Sequence, residues 1–466
     1  MLGINLKKTS EKKGLNIIIV GCGKVGVSLV EQLAKEGHAI TIIDKNPTKV
    51  QEITNLYDIM GLAGNGASYS VQMEAGIESA DLIIAVTNSD ELNLLCCTVA
   101  TQVANCAAIA RVRTPDYSQE SNYLREKLGL AMIMNPELES AREAARILYL
   151  PTALEVNSFA HGQAELIKFK IPDGNILDGL SIYNLDQKLP IKILICAIER
   201  NGEVIIPNGN LTLTKGDVIS VVAPRWKVKA FMTAIGMKNY RIKNCLIVGG
   251  GNFAYYLAKQ LIHMNIMVKI IELDRERCEE LSILLPEAII INGDGTDQEL
   301  LKEEGIVSVD SFVPLTGIDE ENILLSLYAK QVSTTKVITK IDRANFKEIV
   351  SGMDLGSLIY PKYVASEAII AYVRAKTNSM NSNEIETLYN MFDSRVEAIE
   401  FRINEESNVT GVPLKDLKLK DKLLISFINR NGNIIIPSGQ DSIQPGDTVM
   451  IVTAHKGFHD IQDILR

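Results

Sequence analysis

The chain has 466 residues, 46% of them hydrophobic, and a formal net charge of −9 at pH 7. This length exceeds the roughly 250–300 residues at which a single core stops growing, so the sequence predicts several domains. The acidic balance argues against a general nucleic-acid surface, which needs clustered lysine and arginine. No apolar run reaches the ~18–20 residues that span a bilayer, so we expect a soluble polypeptide with no membrane span of its own.

Residues 1–14 carry four lysines and no apolar segment. They predict a disordered basic tail and not a signal peptide. The seven cysteines form an odd set with no C-x-x-C pair and lie among apolar neighbours. This usage predicts buried thiols in a reducing cytoplasm.

The first elements predict a Rossmann-like doubly wound α/β domain over residues 15–137. A strand at 16–20 leads through a glycine-rich turn into a helix at 24–35, and a second strand at 39–43 ends at Asp44. Further short apolar runs follow at 82–86, 107–112 and 132–134. Such runs, separated by helical stretches, are typical of a parallel sheet that is covered on both faces.

The pattern changes after Pro151, where short strands replace the alternation of strand and helix. Asn201-Gly202 separates two of these strands and is a strong hairpin signal. We therefore predict a small β-rich α+β domain over residues 150–235.

The second half of the chain repeats the first. The segment LNIIIVGCGKVG at 15–26 recurs as NCLIVGGGNFA at 244–254, and Gly21 pairs with Gly249 (249 − 21 = 228). Arg200 pairs with Arg430 at nearly the same spacing (430 − 200 = 230). This period is longer than the roughly 20–50 residues of solenoids, so each unit should hold its own core. We predict a second α/β domain at 243–362, a helical connection near 364–374 and a second β-rich domain at 380–466.

The segment Gly21-Cys22-Gly23-Lys24-Val25-Gly26 matches G-x-G-x-x-G between a strand and a helix. The first glycine permits the tight turn, the second permits close approach of a pyrophosphate, and the third permits close packing of the helix on the strand. Asp44 follows 18 residues after the third glycine (44 − 26 = 18), where a carboxylate can bind ribose hydroxyls. The sequence predicts an adenine-nucleotide site. The competing interpretation is a turn that needs glycine only for packing.

Two further features belong to this predicted site. Lys24 stands at the helix start, where the helix dipole disfavours a cation, and a bound phosphate would supply its partner; a solvated lysine is the alternative. The turn after the third strand contains Asn65, and its counterpart contains Asp294. This turn should lie at the carboxyl edge of the sheet beside an adenine. An ordinary surface turn is the competing account.

The second copy of the fingerprint is degraded. It keeps Gly249 and Gly251 but has Ala254 at the third position and Asn252 in place of Lys24. Glu272 retains the ribose carboxylate with one more methylene. We predict a second nucleotide site that binds more weakly.

Nothing in the sequence predicts catalysis. The five histidines are dispersed and form no triad or metal spacing, and no recognised hydrolase or zinc motif is present. An NAD-dependent oxidoreductase nevertheless remains an alternative, since the fingerprint alone permits it.

The motifs Val86-Thr87-Asn88-Ser89-Asp90-Glu91-Leu92-Asn93 and Arg111-Val112-Arg113-Thr114-Pro115-Asp116-Tyr117 follow the fingerprint in order. With them, the chain closely resembles the regulatory RCK (also called KTN) domain subunits of Trk-type potassium uptake systems. The β-rich parts resemble the C-terminal ligand-sensing domains of that family.

This resemblance implies NAD(H) or ATP/ADP as regulatory ligands, with Lys24 near the terminal phosphates. It implies that the segments containing Thr87 and Arg111 line the cleft, with Thr316 in the second copy. The second copy departs from the family where Lys340-Ile341-Asp342 and Asn345-Phe346 replace R-V-R and P-x-Y, so we expect unequal nucleotide affinity in the two halves.

The resemblance also implies a homo-oligomer, a dimer or tetramer that forms a ring, peripheral at the cytoplasmic face of the cell membrane. Its partner would be a TrkH-like membrane potassium-translocating subunit, and the chain would gate it without being an enzyme. A third interpretation makes the β-rich domains receptors for a cyclic dinucleotide.

Overall fold

A computed structural model describes residues 14–189, 191–237, 240–342, 350, 352–378, 384–392 and 395–466. The predicted disordered tail lies outside the described residues except for Gly14, and so do Asn345 and Phe346. The chain divides into two compact units, residues 1–135 and 136–466.

The first unit contains a six-stranded parallel sheet in the order β3-β2-β1-β4-β5-β6. This is the order of a Rossmann fold, whose ligand crevice lies at the switch point between the first and fourth strands. The two central strands, β1 and β4, are almost entirely buried, as their unbroken apolar sequence predicts. The elements are β1 Asn16–Val20, α1 Lys24–Lys35, β2 Ala39–Asp44, α2 Pro47–Tyr57, β3 Met60–Ala63, α3 Tyr69–Glu74, β4 Leu82–Ala85, α4 Asp90–Val103, β5 Ala107–Arg111, α5 Pro115–Gln119, α6 Ser121–Lys127 and β6 Met132–Met134.

The second unit begins with a helix and a five-stranded antiparallel sheet in the order β10-β9-β11-β8-β7. Asn201 and Gly202 join β9 to β10 with positive φ at both residues (51° and 82°), as a two-residue hairpin turn of the predicted type requires. The elements are α7 Pro136–Tyr149, β7 Glu155–Phe159, β8 Ala164–Lys170, α8 Leu185–Lys188, β9 Leu194–Arg200, β10 Glu203–Ile205, β11 Val218–Pro224 and α9 Arg225–Ala234.

The rest of the second unit repeats both sheets, in the orders β14-β13-β12-β15-β16-β17 and β18-β19-β22-β20-β21. The predicted fold class, a tandem duplication of a Rossmann-like and a β-rich domain, is confirmed. The elements are β12 Asn244–Val248, α10 Asn252–His263, β13 Met267–Glu272, α11 Arg275–Leu284, β14 Ile289–Asn292, α12 Gln298–Glu303, β15 Ser311–Pro314, α13 Asp319–Val332, β16 Lys336–Lys340, β17 Ser357–Ile359, α14 Pro361–Asn378, β18 Glu384–Met391, β19 Val396–Arg402, β20 Leu423–Arg430, β21 Asn433–Ile435 and β22 Thr448–Thr453.

The first strand of each antiparallel sheet, β7 or β18, lies inside a predicted β-rich domain but was not itself assigned from the sequence. Both strands lie at an edge of their sheet, and β7 is only partly buried. An edge strand needs fewer apolar residues, so its sequence signal is weak.

Two of the hydrophobic cores of the second unit are formed between its domains. The antiparallel sheets pack against each other through buried side chains that include Phe159, Cys196, Phe392 and Phe427. Helix α7 packs on α10, where its small residues, among them Ala144, meet the second parallel-sheet domain. Burial on this scale dominates the stability of such contacts, at about 25 cal/mol per Å² of apolar surface.

A cluster of partly buried carboxyl groups lies where α7, α14 and the two antiparallel sheets meet. Glu155 accepts a hydrogen bond from the Tyr389 hydroxyl (2.7 Å) and forms an ion pair with Lys168 (2.7 Å). Burial raises the pKa of Glu143 to about 7, and the neighbouring charge of Glu155 adds to this shift. Burial, reinforced by Glu143, also raises the pKa of Glu367 well above its usual value. The carboxyl groups of Glu143 and Glu367 therefore hold protons more tightly in the folded chain.

The substitution Glu143→Gln should stabilise the protein at alkaline pH. The folded-state pKa of about 7 exceeds the ordinary value of 4.5, so stability falls as the pH rises between these values. Near pH 5 the variant and the wild type should have similar Tm values, whereas at pH 8 the variant should melt higher. Each kcal/mol of relieved desolvation corresponds to about 1–2 °C in a unit that spans residues 136–466.

Differential scanning calorimetry across this pH range provides the measurement. Glu139→Gln is the control, because Glu139 on the same helix forms only a surface pair with Arg142. A Tm difference between Glu143→Gln and wild type that does not change with pH would contradict the prediction.

Candidate nucleotide sites at the glycine loops

The glycine loop of the first unit joins β1 to α1 at the carboxyl edge of the sheet. Gly21 has φ +113°, and a Cβ there would lie 3.0 Å from the backbone nitrogen of Thr87. A Cβ on Gly26 would lie 1.9 Å from the carbonyl oxygen of Gly21. The packing of the loop itself therefore requires the first and third glycines, as the fingerprint predicts.

The second glycine has a different role. A Cβ on Gly23 would meet no atom within 4 Å, and Gly251 in the second copy is equally open. Both residues lie just before a helix N-terminus, where unpaired backbone amides and the helix dipole favour an anion. The packing of the protein itself does not require glycine at these two positions. Glycine there leaves room for a ligand to approach the backbone.

Lys24 and Val25 are the first two residues of α1. Lys24 is exposed, whereas the side chain of Val25 is buried in the domain. Val25 can therefore present only its backbone amide to a ligand. Cys22, between the first two glycines, is also buried, and burial raises the pKa of its thiol to about 12.

Asp44 ends β2 and braces the loop. Its Oδ2 atom accepts a hydrogen bond from the backbone amide of Cys22 (2.6 Å), and its Oδ1 atom accepts one from Asn46 (2.9 Å). A carboxylate offers about four acceptor positions, so these two bonds leave capacity for ribose hydroxyls. The sequence predicted the position of this carboxylate but not its bond to the loop.

Asn93 organises the opposite wall and was not among the predicted site residues. Its Oδ1 accepts hydrogen bonds from the backbone amide and the hydroxyl of Thr87 (2.8 and 2.7 Å). Its Nδ2 donates to the carbonyl oxygens of Thr87 and Arg111 (3.2 and 2.9 Å). One buried amide thus fixes the ends of β4 and β5. The recurrence of threonine and asparagine six residues apart in both halves was the available signal.

Arg111 and Asp90 complete this wall. The Arg111 guanidinium donates to the Thr87 carbonyl oxygen and lies 3.5 Å from the Asn88 side-chain oxygen. Asp90 is buried and accepts hydrogen bonds from the backbone amides of Arg113 and Thr114 (2.8 Å each). The structure therefore brings Thr87 and Arg111 together through bonds that also shape the edge of the sheet, and their role in binding a ligand stays a prediction.

The turn after the third strand has a local role in both halves. Asn65 accepts a hydrogen bond from the amide of Ala67 (3.3 Å). Asp294 accepts bonds from the amide and hydroxyl of Thr296 (2.9 and 2.7 Å), and these lower the pKa of its carboxyl. Both side chains are exposed, and their bonds are those of an ordinary Asx turn. A ligand role for Asn65 and Asp294 stays a prediction.

The second glycine loop repeats the brace. Glu272 accepts hydrogen bonds from the backbone amides of Gly250 and Asp274. Arg277 on α11 donates from Nε to the Gly250 carbonyl oxygen (2.7 Å), a contact on the loop backbone. Ala254 replaces the third glycine and is fully buried. The carboxylate of Glu272, although its side chain is one methylene longer than that of Asp44, still accepts a hydrogen bond from the loop.

The second copy also keeps the opposite wall, with a different cation. Asn322 accepts from the amide and hydroxyl of Thr316 (2.9 Å each) and donates to the carbonyl oxygen of Lys340 (3.2 Å). The Lys340 ammonium donates to the Thr316 carbonyl oxygen (3.2 Å) and pairs with Asp342 (3.1 Å). Lys340 therefore occupies the place of Arg111, without the planar fork that binds phosphate in two-point fashion.

Within the described residues, no cluster of three or more histidine, cysteine or acidic side chains is arranged to hold a metal ion. A search of the same residues finds no helix with the length and hydropathy needed to cross a bilayer.

Comparison with known proteins identifies the family. The TrkA-N domain model matches residues 17–136 and 245–361, and the TrkA-C domain model matches residues 166–236 and 398–466. The chain is 32% identical to the Trk system potassium uptake protein TrkA of Haemophilus influenzae, over 95% of this chain and 96% of that protein. It is 32% identical to a TrkA homolog of Archaeoglobus fulgidus, over 97% of this chain and 100% of that protein.

Solved structures share the fold. The GsuK RCK domain and the GsuK channel bound to NAD each match with a TM-score of 0.63 and 15% identity, over 95% of this chain and 93% and 77% of theirs. GsuK bound to ADP matches with a TM-score of 0.50 and 13% identity, over 78% of this chain and 70% of that one. The chain belongs to the TrkA family, and the predicted resemblance is confirmed.

We predict that Asp44→Ala weakens adenine-nucleotide binding by a factor of ten to more than a hundred. Loss of a charged acceptor for the ribose hydroxyls corresponds to about 1.5–3 kcal/mol. Glu272→Ala should have a smaller effect, because its loop has lost the lysine and the third glycine. Isothermal titration calorimetry with NAD, ATP and ADP provides the measurement.

Because Asp44 also braces the loop, Asp44→Asn is needed beside the alanine variant. It keeps the size of the side chain and one acceptor oxygen. Asp173→Ala is the matched control, since Asp173 is exposed on a different domain. Unchanged affinity for all three nucleotides in a folded Asp44→Ala protein would refute the site.

Proposed function

We propose that the chain is a nucleotide-binding regulatory subunit that gates a membrane potassium uptake channel. The observation that carries this proposal is the open second glycine at a helix N-terminus, opposite a carboxylate at the end of the second strand. Family membership supports the connection to potassium uptake. Within this proposal, the nucleotide-binding domains span residues 15–137 and 243–362, and the C-type domains span 150–235 and 380–466.

The proposed ligands are NAD(H), ATP and ADP. The GsuK structures bound to NAD and to ADP support nucleotides in general. In the first half, the ligand's phosphates would meet the start of α1 beside Lys24, and its ribose would meet Asp44. In the second half, Glu272 would take the ribose, and weaker phosphate binding follows from Asn252 and Ala254.

The ligand acts as a signal in this proposal and is not consumed. A ligand shifts a gate only by its difference in affinity between the open and closed assemblies. The free energy that couples nucleotide binding at one site to the gate is typically about 1–3 kcal/mol. Several such sites are therefore needed for the gate to respond sharply to nucleotide concentration. Two nucleotide domains per chain in a homo-oligomeric ring, a dimer or a tetramer, would supply them at the cytoplasmic face of the membrane.

We predict that Lys24→Ala separates ATP from ADP and NAD. Lys24 is exposed at the first residue of α1, and a flexible ammonium can reach an outer phosphate as a point charge. The affinity for ATP should fall several-fold, whereas the affinities for ADP and NAD should change less. Lys35→Ala is the control, since Lys35 lies in the last turn of the same helix and pairs with Glu31. Equal losses for all three ligands would show that Lys24 only supports the loop.

Potassium flux tests the gating itself. Vesicles that contain a purified TrkH-like channel should show nucleotide-dependent flux only when this chain is added. Asp44→Asn should still associate with the channel, yet its flux should respond to nucleotide only at much higher concentration. Flux that ignores both the chain and the nucleotide would refute the gating role. Turnover of NADH with a small carbonyl substrate would favour the oxidoreductase instead.

A further inference from the structure

A cavity of about 890 Å³ lies in the second unit, and no glycine-loop residue is among those that line it. Its walls come from α7, α9, α10, the turn that precedes β8 and the hairpin turn between β20 and β21. The cavity therefore joins four parts of the chain: the helix that follows the first unit, both antiparallel-sheet domains and the second parallel-sheet domain. Its volume is within the range of about 300–1,000 Å³ typical of small-molecule sites.

The charged residues that line the cavity are mainly cations. Five of its lining residues are basic, whereas Glu165 is the one acidic residue among them. The Nε atom of Arg225 lies 3.5 Å from Glu165 Oε1, and Arg142 pairs with Glu139 outside the cavity (2.5 Å). The excess of positive charge favours an anion with more than one charge. The basic residues are Arg142, Arg146, Arg225, Lys227 and Lys229.

Two aromatic rings border the same space. Trp226 is 79% exposed, with the ammonium of Lys227 4.9 Å from its ring centroid. The Lys229 ammonium lies 4.0 Å from the ring of Tyr149, which also lines the cavity. Exposed tryptophan beside arginine is typical of binding surfaces, because its ring supplies a large stacking face.

The duplicated domain provides an internal comparison. Glu165 is opposite Ala223 in the first antiparallel sheet, and Glu397 is opposite Thr453 in the second (453 − 223 = 230). Glu397 forms a fully buried ion pair with Arg374 (3.1 Å), and Lys456 lies 3.6 Å from it. Lys456 stands at the position of Trp226 (456 − 226 = 230). In the second copy the carboxylate of Glu397 is therefore neutralised by Arg374 and Lys456 of the same copy.

In the first copy the same carboxylate faces an open space. Arg225 is largely exposed, and the residue that would correspond to Lys456 is the outward Trp226. In the second copy this region is closed, since Glu397 is only 1% exposed. An open basic cavity beside an exposed tryptophan is therefore a distinct feature of the first copy and not a requirement of the fold.

We propose that this cavity binds a small organic anion that carries at least two phosphate groups and an aromatic ring. Arginine forks bind phosphate oxygens in pairs, and Trp226 and Tyr149 supply faces on which the ring can stack. The bound anion would hold α10 against α9 and the β20–β21 turn. It is a second regulatory site, independent of the glycine loops.

Tryptophan fluorescence tests the proposal directly, because Trp226 is the only tryptophan in the chain. The probes are adenosine 3′,5′-bisphosphate and pyrophosphate, titrated into the full chain carrying Asp44→Asn and Glu272→Gln to suppress the glycine-loop sites. The bisphosphate should change the emission of Trp226 saturably, and pyrophosphate, which lacks a ring, should bind at least tenfold more weakly.

Arg146→Gln and Arg225→Gln should each reduce the affinity for the bisphosphate at least tenfold, and Arg146→Lys should restore part of it. Arg275→Gln is the control, since Arg275 is an exposed arginine on α11. Calorimetry on Trp226→Ala should show weakened binding of the bisphosphate and little change for pyrophosphate. No saturable response at millimolar probe, or equal affinity in Arg146→Gln and wild type, would overturn the proposal.

Discussion

The bond between a strand-end carboxylate and the glycine loop fixes each candidate site. Asp44 holds the loop through the amide of Cys22, and Glu272 does the same through Gly250. This bond ties the end of the second strand to the turn after the first strand, beside the crevice where the sheet order reverses. The loop is thereby ordered without a ligand. A nucleotide that binds such a loop does not have to spend its interaction free energy on ordering it.

The two halves preserve this geometry and differ in charge. Asn322 repeats every bond type that Asn93 makes to the adjacent threonine, so the walls of the two crevices are alike. The cations differ, because Lys340 stands where Arg111 stands and Asn252 where Lys24 stands. The backbone geometry of the crevice is the same in both halves, whereas the side chains that would contact phosphate differ. The halves are therefore equivalent as folds and differ in the charged groups at their crevices.

The sequence was sufficient to predict the parallel sheets, because their central strands are buried and read as unbroken apolar runs. It was also sufficient for the hairpin at Asn201, whose turn depends on two neighbouring residues. The edge strands β7 and β18 escaped prediction, since partial burial leaves them without a strong pattern. The brace at Asp44 and the amide of Asn93 needed coordinates, because their partners lie many residues away. The basic cavity could be found only from the coordinates, since residues as far apart in the sequence as Arg146 and Asn433 line it.

The packing of the two antiparallel sheets within one chain has a consequence for how the copies diverge. Because they are covalently joined, they meet at a high effective concentration that dilution of the protein does not reduce. Separate identical subunits would carry every substitution on both sides of the interface. Here a change such as tryptophan in one copy and lysine in the other affects a single side. The fusion therefore allows the two copies to carry different residues at corresponding positions of one interface, as Trp226 and Lys456 do.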